Sequence, residues 1–363
     1  MLPKCTLIMP DLKLYTVAQL REWLIHNRVI DGLSEQIIAP ARAWAIVHNP
    51  YVREDDHVLA AIFVDGVVAA YTAVFPEILS QPLYKDEKAE DGRIWWFSTL
   101  WCAQKHQGKG FGLVVVGSLA EQYGEGRCFD RWGAKETVEI FQCLGLQTVY
   151  TPRYCFGDGD INRTTLRGKL ACAKQKVCKR WHNKSLKLTG SHYTLRYLSH
   201  IDDATYAFIQ NNCKQDLFLH AKDMLNWELR YPFSVSSPII KRVKRDTSFS
   251  SFVVNGQFYA VQVWDSNELI GFYLLKHGER SLHVKYLYFR EANKDSVFNS
   301  ILDHVIVLNI EHFETENKEL ANHIQHRKYF PKTRIIPVSL SYPDAFPLRS
   351  EYTMQYGDGD SFA

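Results

Sequence analysis

The stretch from Lys105 to Gly126, KHQGKGFGLVVVGSLAEQYGEG, decides how the first half of the chain is read. Gly108, Gly110 and Gly112 fall at alternate positions, and the next residues are apolar at helical spacing: Leu113, Val116, Leu119 and Ala120. A strand interior excludes this pattern, because glycine costs conformational entropy and offers nothing to pack. A flexible linker excludes it too, because an ordered helix follows at once. What remains is a tight loop opening a helix, with its backbone close to something. Just upstream, RIWWFSTLWC (93–102) is dense in aromatic residues and reads as a buried central strand. Strand, glycine turn and helix start together make an anion site. Successive N–H groups point into one concavity, and the helix N-terminus adds partial positive charge. A phosphate or pyrophosphate is the favoured ligand, with Lys109 adding charge at the rim. The spacing is neither GxxxxGK[ST] nor GxGxxG with an acid about 20 residues on.

Upstream, Thr16 and Gln19 form a capping box before Val17, Leu20, Trp23 and Leu24. A second helix is expected over 34–48, ended by Asn49-Pro50. HVLAAIFV and VVAAYTAVF read as two strands turned at Asp65-Gly66. Downstream, Gly124 and Gly126 stop the helix. RCFDRWG then reads as a short strand, KETVEIFQCLG as a helix and QTVYTPRYCF as a final strand. Two helices, three strands and then the loop do not make the strand–helix alternation of a doubly wound sheet.

The 363 residues suggest two domains, and 46% apolar with 13% aromatic content sustains packed cores. A net charge of +3 does not mark a dedicated nucleic-acid binder. The N-terminus reads as no signal peptide, and Asp65-Gly66 breaks the most apolar stretch, so no membrane span is expected. Cys5, Cys102, Cys128, Cys143, Cys155, Cys172, Cys178 and Cys213 form no CxxC pair. They are expected as free thiols in a cytoplasmic protein, with no metal site.

The second half repeats the first in outline. VQVWDSNELIGFYLL mirrors the hairpin around Asp65, with Asp265 as its counterpart. FGDGD at 156–160 returns as YGDGD at 356–360, at the same offset of 200 residues. SLHVKYLYF answers RIWWFSTLWC, but REANKDS follows it in place of a glycine loop. The charged residues over 163–188 are all basic. That segment reads as a linker between a first domain (1–162) and a second (189–363). Its charge, including Lys179 and Arg180, reads as a solvated face rather than a nucleic-acid contact, and the KRVKR run at 241–245 reads as a solvated loop rather than a site for an anionic substrate.

Residues Gln107-Gly108-Lys109-Gly110-Phe111-Gly112 match [Q/R]-x-x-G-x-[G/A]. With the order of elements over about 1–160, the chain resembles the GNAT superfamily of acyl-CoA-dependent N-acyltransferases. The resemblance implies an α+β fold of two tandem domains, each a mixed sheet flanked by helices, the second degenerate. It implies that the amides of Gln107, Gly108, Lys109, Gly110, Phe111 and Gly112 hold the pyrophosphate of acetyl-CoA. Backbone groups at Leu100 and Cys102 would pair with the pantetheine arm, and the thioester would lie near 98–100. A neutral amine, on a small molecule or peptide, would attack the thioester directly, with an N–H group on the oxyanion.

The sequence departs from the family's pattern in three places. Phe141 stands where a tyrosine acid is common, Ala134 where an asparagine is common, and 93–102 carries no carboxylate. Catalytic side chains are therefore open. Glu77, Tyr71, His106 and Tyr154 are candidates by location, and each also reads as structural. Trp95, Trp96 and Trp101 read as core or groove lining. Asp158 and Asp160 read as turn formers, with contact to a cationic amine as the alternative. The second domain is expected to bind no CoA, and either to close one side of the acceptor site or to hold a homodimer together. Two alternatives stay open: a CoA-binding or scaffold protein without catalysis, and a transferase for another acyl or aminoacyl donor.

Overall fold

The computed structural model describes residues 10–80, 92–157, 170, 173, 177, 192–213, 215–230, 257–278, 280–327, 329–330, 332–344, 346, 348 and 352–359. The first half runs β1 (Asp11–Thr16), α1 (Val17–His26), α2 (Pro40–Val47), β2 (His57–Val64), β3 (Val67–Ile78) and β4 (Arg93–Cys102). It continues with α3 (Phe111–Tyr123), β5 (Cys128–Arg131), α4 (Lys135–Cys143) and β6 (Leu146–Phe156). The second half repeats the order: β7 (Tyr193–Leu198), α5 (Asp203–Asn212), α6 (Lys222–Arg230), β8 (Gln257–Asp265), β9 (Glu268–His277) and β10 (Ser281–Phe289). It ends with α7 (Lys294–Val307), β11 (His312–Thr315), α8 (Lys318–His326) and β12 (Thr333–Pro343).

All strands join one 12-stranded sheet in the order β1-β2-β3-β4-β5-β12-β6-β11-β10-β9-β8-β7. Matching β1 with β7, and so on to β6 with β12, turns this order into its own reverse. The sheet therefore has a pseudo-twofold axis between β12 and β6, and each half lends its last strand to the other. β6 and β12 pair along their full length, from Thr333 opposite Phe156 to Pro343 opposite Leu146. The mixed sheet with flanking helices is the α+β architecture expected, in two related halves.

One of the two sequence repeats is structural and the other is not. The β2–β3 turn places Asp65 at φ 55° and Gly66 at φ 72°, and the β8–β9 turn places Ser266 at φ 52°. The GDGD stretches do not correspond. Phe156 is the last residue of β6, whereas Tyr356 lies well beyond the end of β12 at Pro343. Asp158, Asp160 and Asp360 lie outside the described residues, as do Lys179, Arg180, the rest of the basic segment apart from 170, 173 and 177, and the 241–245 run.

The expected helix over 34–48 begins only at Pro40, where proline's fixed φ suits a first helical position and its missing N–H costs nothing. The Thr16/Gln19 capping box is present at α1. β1 was not expected: it is a six-residue edge strand in which Tyr15 alone is buried. In the first half, α3 packs on the sheet face that carries Trp95 and Phe97, through Val115, Val116 and Leu119. Phe75, Ile94, Trp96 and Phe129 lie on the opposite face, with Phe218 and Leu340 from the second half.

Candidate cofactor-binding cleft

The site begins where two strands part. β4 and β5 run parallel for three pairs only, ending at Phe97 opposite Asp130. β5 then follows β12: Asp130 lies opposite Ser341 and Arg131 opposite Leu340. Trp132, at φ 66°, donates its N–H to Ser339 O at 3.1 Å. β4 stays with β3 as far as Cys102 opposite Ala70, through an irregularity at Thr99, whose φ is 54°. Bulges of this kind bend a strand away from its neighbour. A fork therefore opens beyond Phe97.

The glycine loop closes the wide end of the fork. Ala103 N–H bonds Ala69 O at 2.8 Å, and a 3-10 turn follows over Gln104–His106. Gln107 and Lys109 donate back to Gln104 O and His106 O, at 3.3 Å each. These two amides, expected to face a ligand, are thus engaged by the turn itself. Gly108 and Gly110 sit at φ 76° and 81°, a region where a Cβ is strained, though the space around both is open. Gly112 is small for another reason: a Cβ there would lie 3.1 Å from Ile140 Cδ1. Gly110 is the N-cap of α3 and supplies no side-chain cap. The first N–H groups of the helix, at Phe111 and Gly112, therefore lack intrahelical acceptors.

The β4 arm of the fork, the loop and α4 share one cleft of about 550 Å³, lined among others by Leu100, Cys102, Gly108, Gly110, Thr137 and Ile140. Lys109 Nζ lies 3.3 Å from His106 Nδ1. Desolvation, then Lys109 and Lys105, lower the His106 pKa, so its imidazole is neutral near pH 7. Desolvation raises the Cys102 thiol, which Lys109 partly offsets. Glu136 and Glu139 lie on the α4 wall.

The other candidates lie elsewhere. Tyr71 is buried and stacked on Trp101 at 5.2 Å. Tyr154 sits mid-sheet, opposite Thr315 and Ile335, in the second half's core. Trp95 stacks on Tyr123, and Trp96 packs between Phe129 and Phe218, so both are core. Phe141 is buried edge-on to Phe97 at 5.2 Å, and Ala134 caps α4 without a side-chain bond. Glu77 is buried on the face of Trp96, whose Nε1 donates to it; burial, then Asp358, push its pKa up to about 8.

Glu77 lies beside a buried network. His220 Nε2 meets Asp358 Oδ1 at 2.6 Å, and its Nδ1 meets Tyr288 OH at 2.6 Å. Burial opposes the charge on His220, but Asp358 and Asp216 outweigh it and keep the ring protonated. Glu77, His220 and Asp358 could offer a metal three ligand atoms within 4.8 Å. Both ring nitrogens of His220 are already engaged, which argues for an ion-pair network there. Of the cysteines, Cys102, Cys128, Cys143, Cys155 and Cys213 are free thiols, and Cys5, Cys172 and Cys178 lie outside the described residues.

Asp130 was not singled out from the sequence. It is 5% exposed and accepts no hydrogen bond among the described residues, and its Oδ2 is fully buried. Burial alone pushes its pKa up to about 7. The available signal was an acid within a strand whose neighbours, Cys128 and Phe129, are core residues.

The second half has a fork too, and the chain fills it. β10 and β11 part after His283 opposite Glu314. Residues 355–357 then lie along β10. Gly357 N–H bonds Lys285 O at 2.9 Å, and Gln355 Oε1 accepts from Leu287 N–H at 3.3 Å. Tyr356 OH meets His283 Nδ1 at 2.8 Å and Glu314 at 3.0 Å. Arg131 anchors the segment through Gln355 O at 2.7 Å and Asp358 O at 2.9 Å. After β10 comes a 3-10 turn over Glu291–Asn293, without glycine.

No protein-family model matches the chain, and no curated protein matches it. Solved structures do. The chain is similar to a putative acetyltransferase from Pyrococcus horikoshii, at 9% identity over 96% of this chain and 93% of that one, with a TM-score of 0.48. It is similar to a tandem GNAT protein from the clavulanic acid biosynthesis pathway, at 9% identity over 94% and 100%, with a TM-score of 0.47. A GCN5-related N-acetyltransferase from Kribbella flavida is similar at 13% identity over 91% and 71%, with a TM-score of 0.47. Among the described residues, no helix is long and apolar enough to cross a membrane.

Proposed function

We propose that the chain is an acyltransferase of the GNAT type, and that its first fork takes acetyl-CoA. The observation that carries this is the continuity of the fork's β4 arm with the glycine loop in one cleft. The loop and the uncapped α3 N-terminus suit a pyrophosphate, through the amides of Gly108, Gly110, Phe111 and Gly112 and the charge of Lys109. The fork beside Leu100 and Cys102 suits an extended arm with amide groups. An amine, on a small molecule or peptide, accepts the acyl group. The second half takes no cofactor, because residues 355–357 occupy its fork.

The test is thermal stability with and without acetyl-CoA. Ligand at 100 times its dissociation constant adds about 2.7 kcal/mol. The gain should vanish in a folded Gly110→Trp variant. No gain in the wild type would sink the reading. A second reading, CoA binding without turnover, is favoured by Phe141, which has no hydroxyl to offer. It predicts the same gain but no thiol release with any amine.

A further inference from the structure

A buried carboxyl with no hydrogen-bond partner is rare in a folded protein and calls for a reason. Among the described residues Asp130 is such a group, and its position is specific. It lies opposite Phe97, the last residue of β4 that β5 accompanies, so it stands at the apex of the fork. Neighbouring strand residues opposite one another share a face. Phe97 belongs to the core beneath α3, so Asp130 points toward the side that holds the cleft. Its Oδ2 lies against Gly133: a Cβ added there would be 2.6 Å from Oδ2 and 3.4 Å from Thr137. Thr137 lines the cleft. Glu136 and Glu139 line the cleft from α4 and Lys109 lies on the loop; none of them shifts Asp130, and burial is the single cause.

The second half supplies a control. Asp130 lies opposite Ser341, and Thr315 lies opposite Tyr154. Ser341 and Tyr154 hold the same place in β12 and β6, so Thr315 is the counterpart of Asp130. Thr315 Oγ1 accepts from Asn317 N–H at 3.1 Å. The half whose fork is filled has a satisfied hydroxyl at this place, and the half whose fork is open has an unsatisfied carboxyl.

We propose that Asp130 carries the proton of acyl transfer in the open fork. This rests on the reading of the cleft as an acyl-CoA site. As the amine nitrogen bonds to the thioester carbon, its proton passes to the Asp130 carboxylate. The C–S bond breaks with its electron pair on sulfur. Asp130 then gives the proton to the thiolate and is a carboxylate again. Amide and free thiol are the products, and no further reactant is needed.

The experiment uses the full chain, with carbon-13 in the aspartate carboxyls and Asp130→Asn to assign the signal. Asp130 should titrate near neutrality, and acetyl-CoA should move that titration. Asp130→Asn should bind acetyl-CoA within about threefold of wild type. Its thiol release, measured with water and an amine panel as acceptors, should fall by about a hundredfold and lose its pH limb near neutrality. The proposal is overturned if Asp130 titrates with ordinary carboxylates and ignores acetyl-CoA, if Asp130→Asn keeps the wild-type rate and pH limb, or if the wild type binds acetyl-CoA but releases no thiol. Failure of the wild type to bind acetyl-CoA sinks the cofactor reading itself. Binding with an unchanged Asp130→Asn profile sinks only the role of Asp130.

Discussion

The two forks of this sheet are made alike and used differently. Each opens where a parallel pair of strands parts after three register pairs. The first is bordered by a glycine loop and stays open as a cleft of about 550 Å³. The second has no glycine in the corresponding turn, and residues 355–357 hydrogen-bond along β10. The strand geometry that opens a fork is therefore not a site by itself. Whether the fork stays open depends on what borders it and on whether another segment reaches it.

The strongest test of the filled fork is its anchor. Asp358 is fully buried and bonds His220 at 2.6 Å. Asp358→Ala leaves a buried charged ring half-partnered, which costs about 3 to 5 kcal/mol. Urea unfolding should show this loss, and a value under 1 kcal/mol would mean the segment is held mainly by Arg131 and Tyr356. The loss should depend on pH in one direction. The folded pKa of His220 is raised, so its contribution is complete below about 6.5, the unfolded value, and fades as pH climbs through the folded one.

In the open fork pH acts in the same direction, but the substitution acts in the opposite one. The folded pKa of Asp130 is raised to about 7, so its burial lowers stability as pH rises from about 4 to 7. Asp130→Asn should therefore stabilise the protein at pH 8, by up to about 4 kcal/mol. The gain should disappear below about pH 3, where the carboxyl is neutral in both states. Thermal unfolding at the two pH values checks this. No gain at pH 8 would show that Asp130 has a partner in solution.

Two glycine substitutions refine the comparison at smaller scale. A Cβ at Gly357 would lie 2.3 Å from Tyr286 Cζ, so Gly357→Ala should cost about 1 to 3 kcal/mol by overpacking and leave acetyl-CoA binding unchanged. A Cβ at Gly108 meets nothing within 4 Å, but its φ is 76°. Gly108→Ala should cost only about 1 to 2 kcal/mol of stability, from the left-handed backbone. It should also weaken acetyl-CoA binding by about tenfold or more, by turning the loop's amides. Denaturation and calorimetry on both variants separate packing from loop geometry. Equal binding losses would erase the distinction between the forks.

The sequence alone carried the local elements. Alternate glycines before an apolar helical run define a loop opening α3, because only glycine tolerates φ near +80° at two such positions. Asp65-Gly66 defines a hairpin, and Thr16 with Gln19 defines the start of α1. Those signals lie within a few residues of the structure they specify, so they can be read in one dimension. What tertiary structure decided is long-range. The exchange of β6 and β12 joins segments nearly two hundred residues apart, and no local pattern announces it. The second GDGD misled for the same reason: its place in the chain suggested a repeat, whereas its place in the fold is beside β10. Asp130 reads as an ordinary strand residue until the parting of β4 and β5 sets it, buried and without a partner among the described residues, at the apex of the fork. Burial and partnership belong to the packed molecule, and in this protein they distinguish an open fork from a filled one.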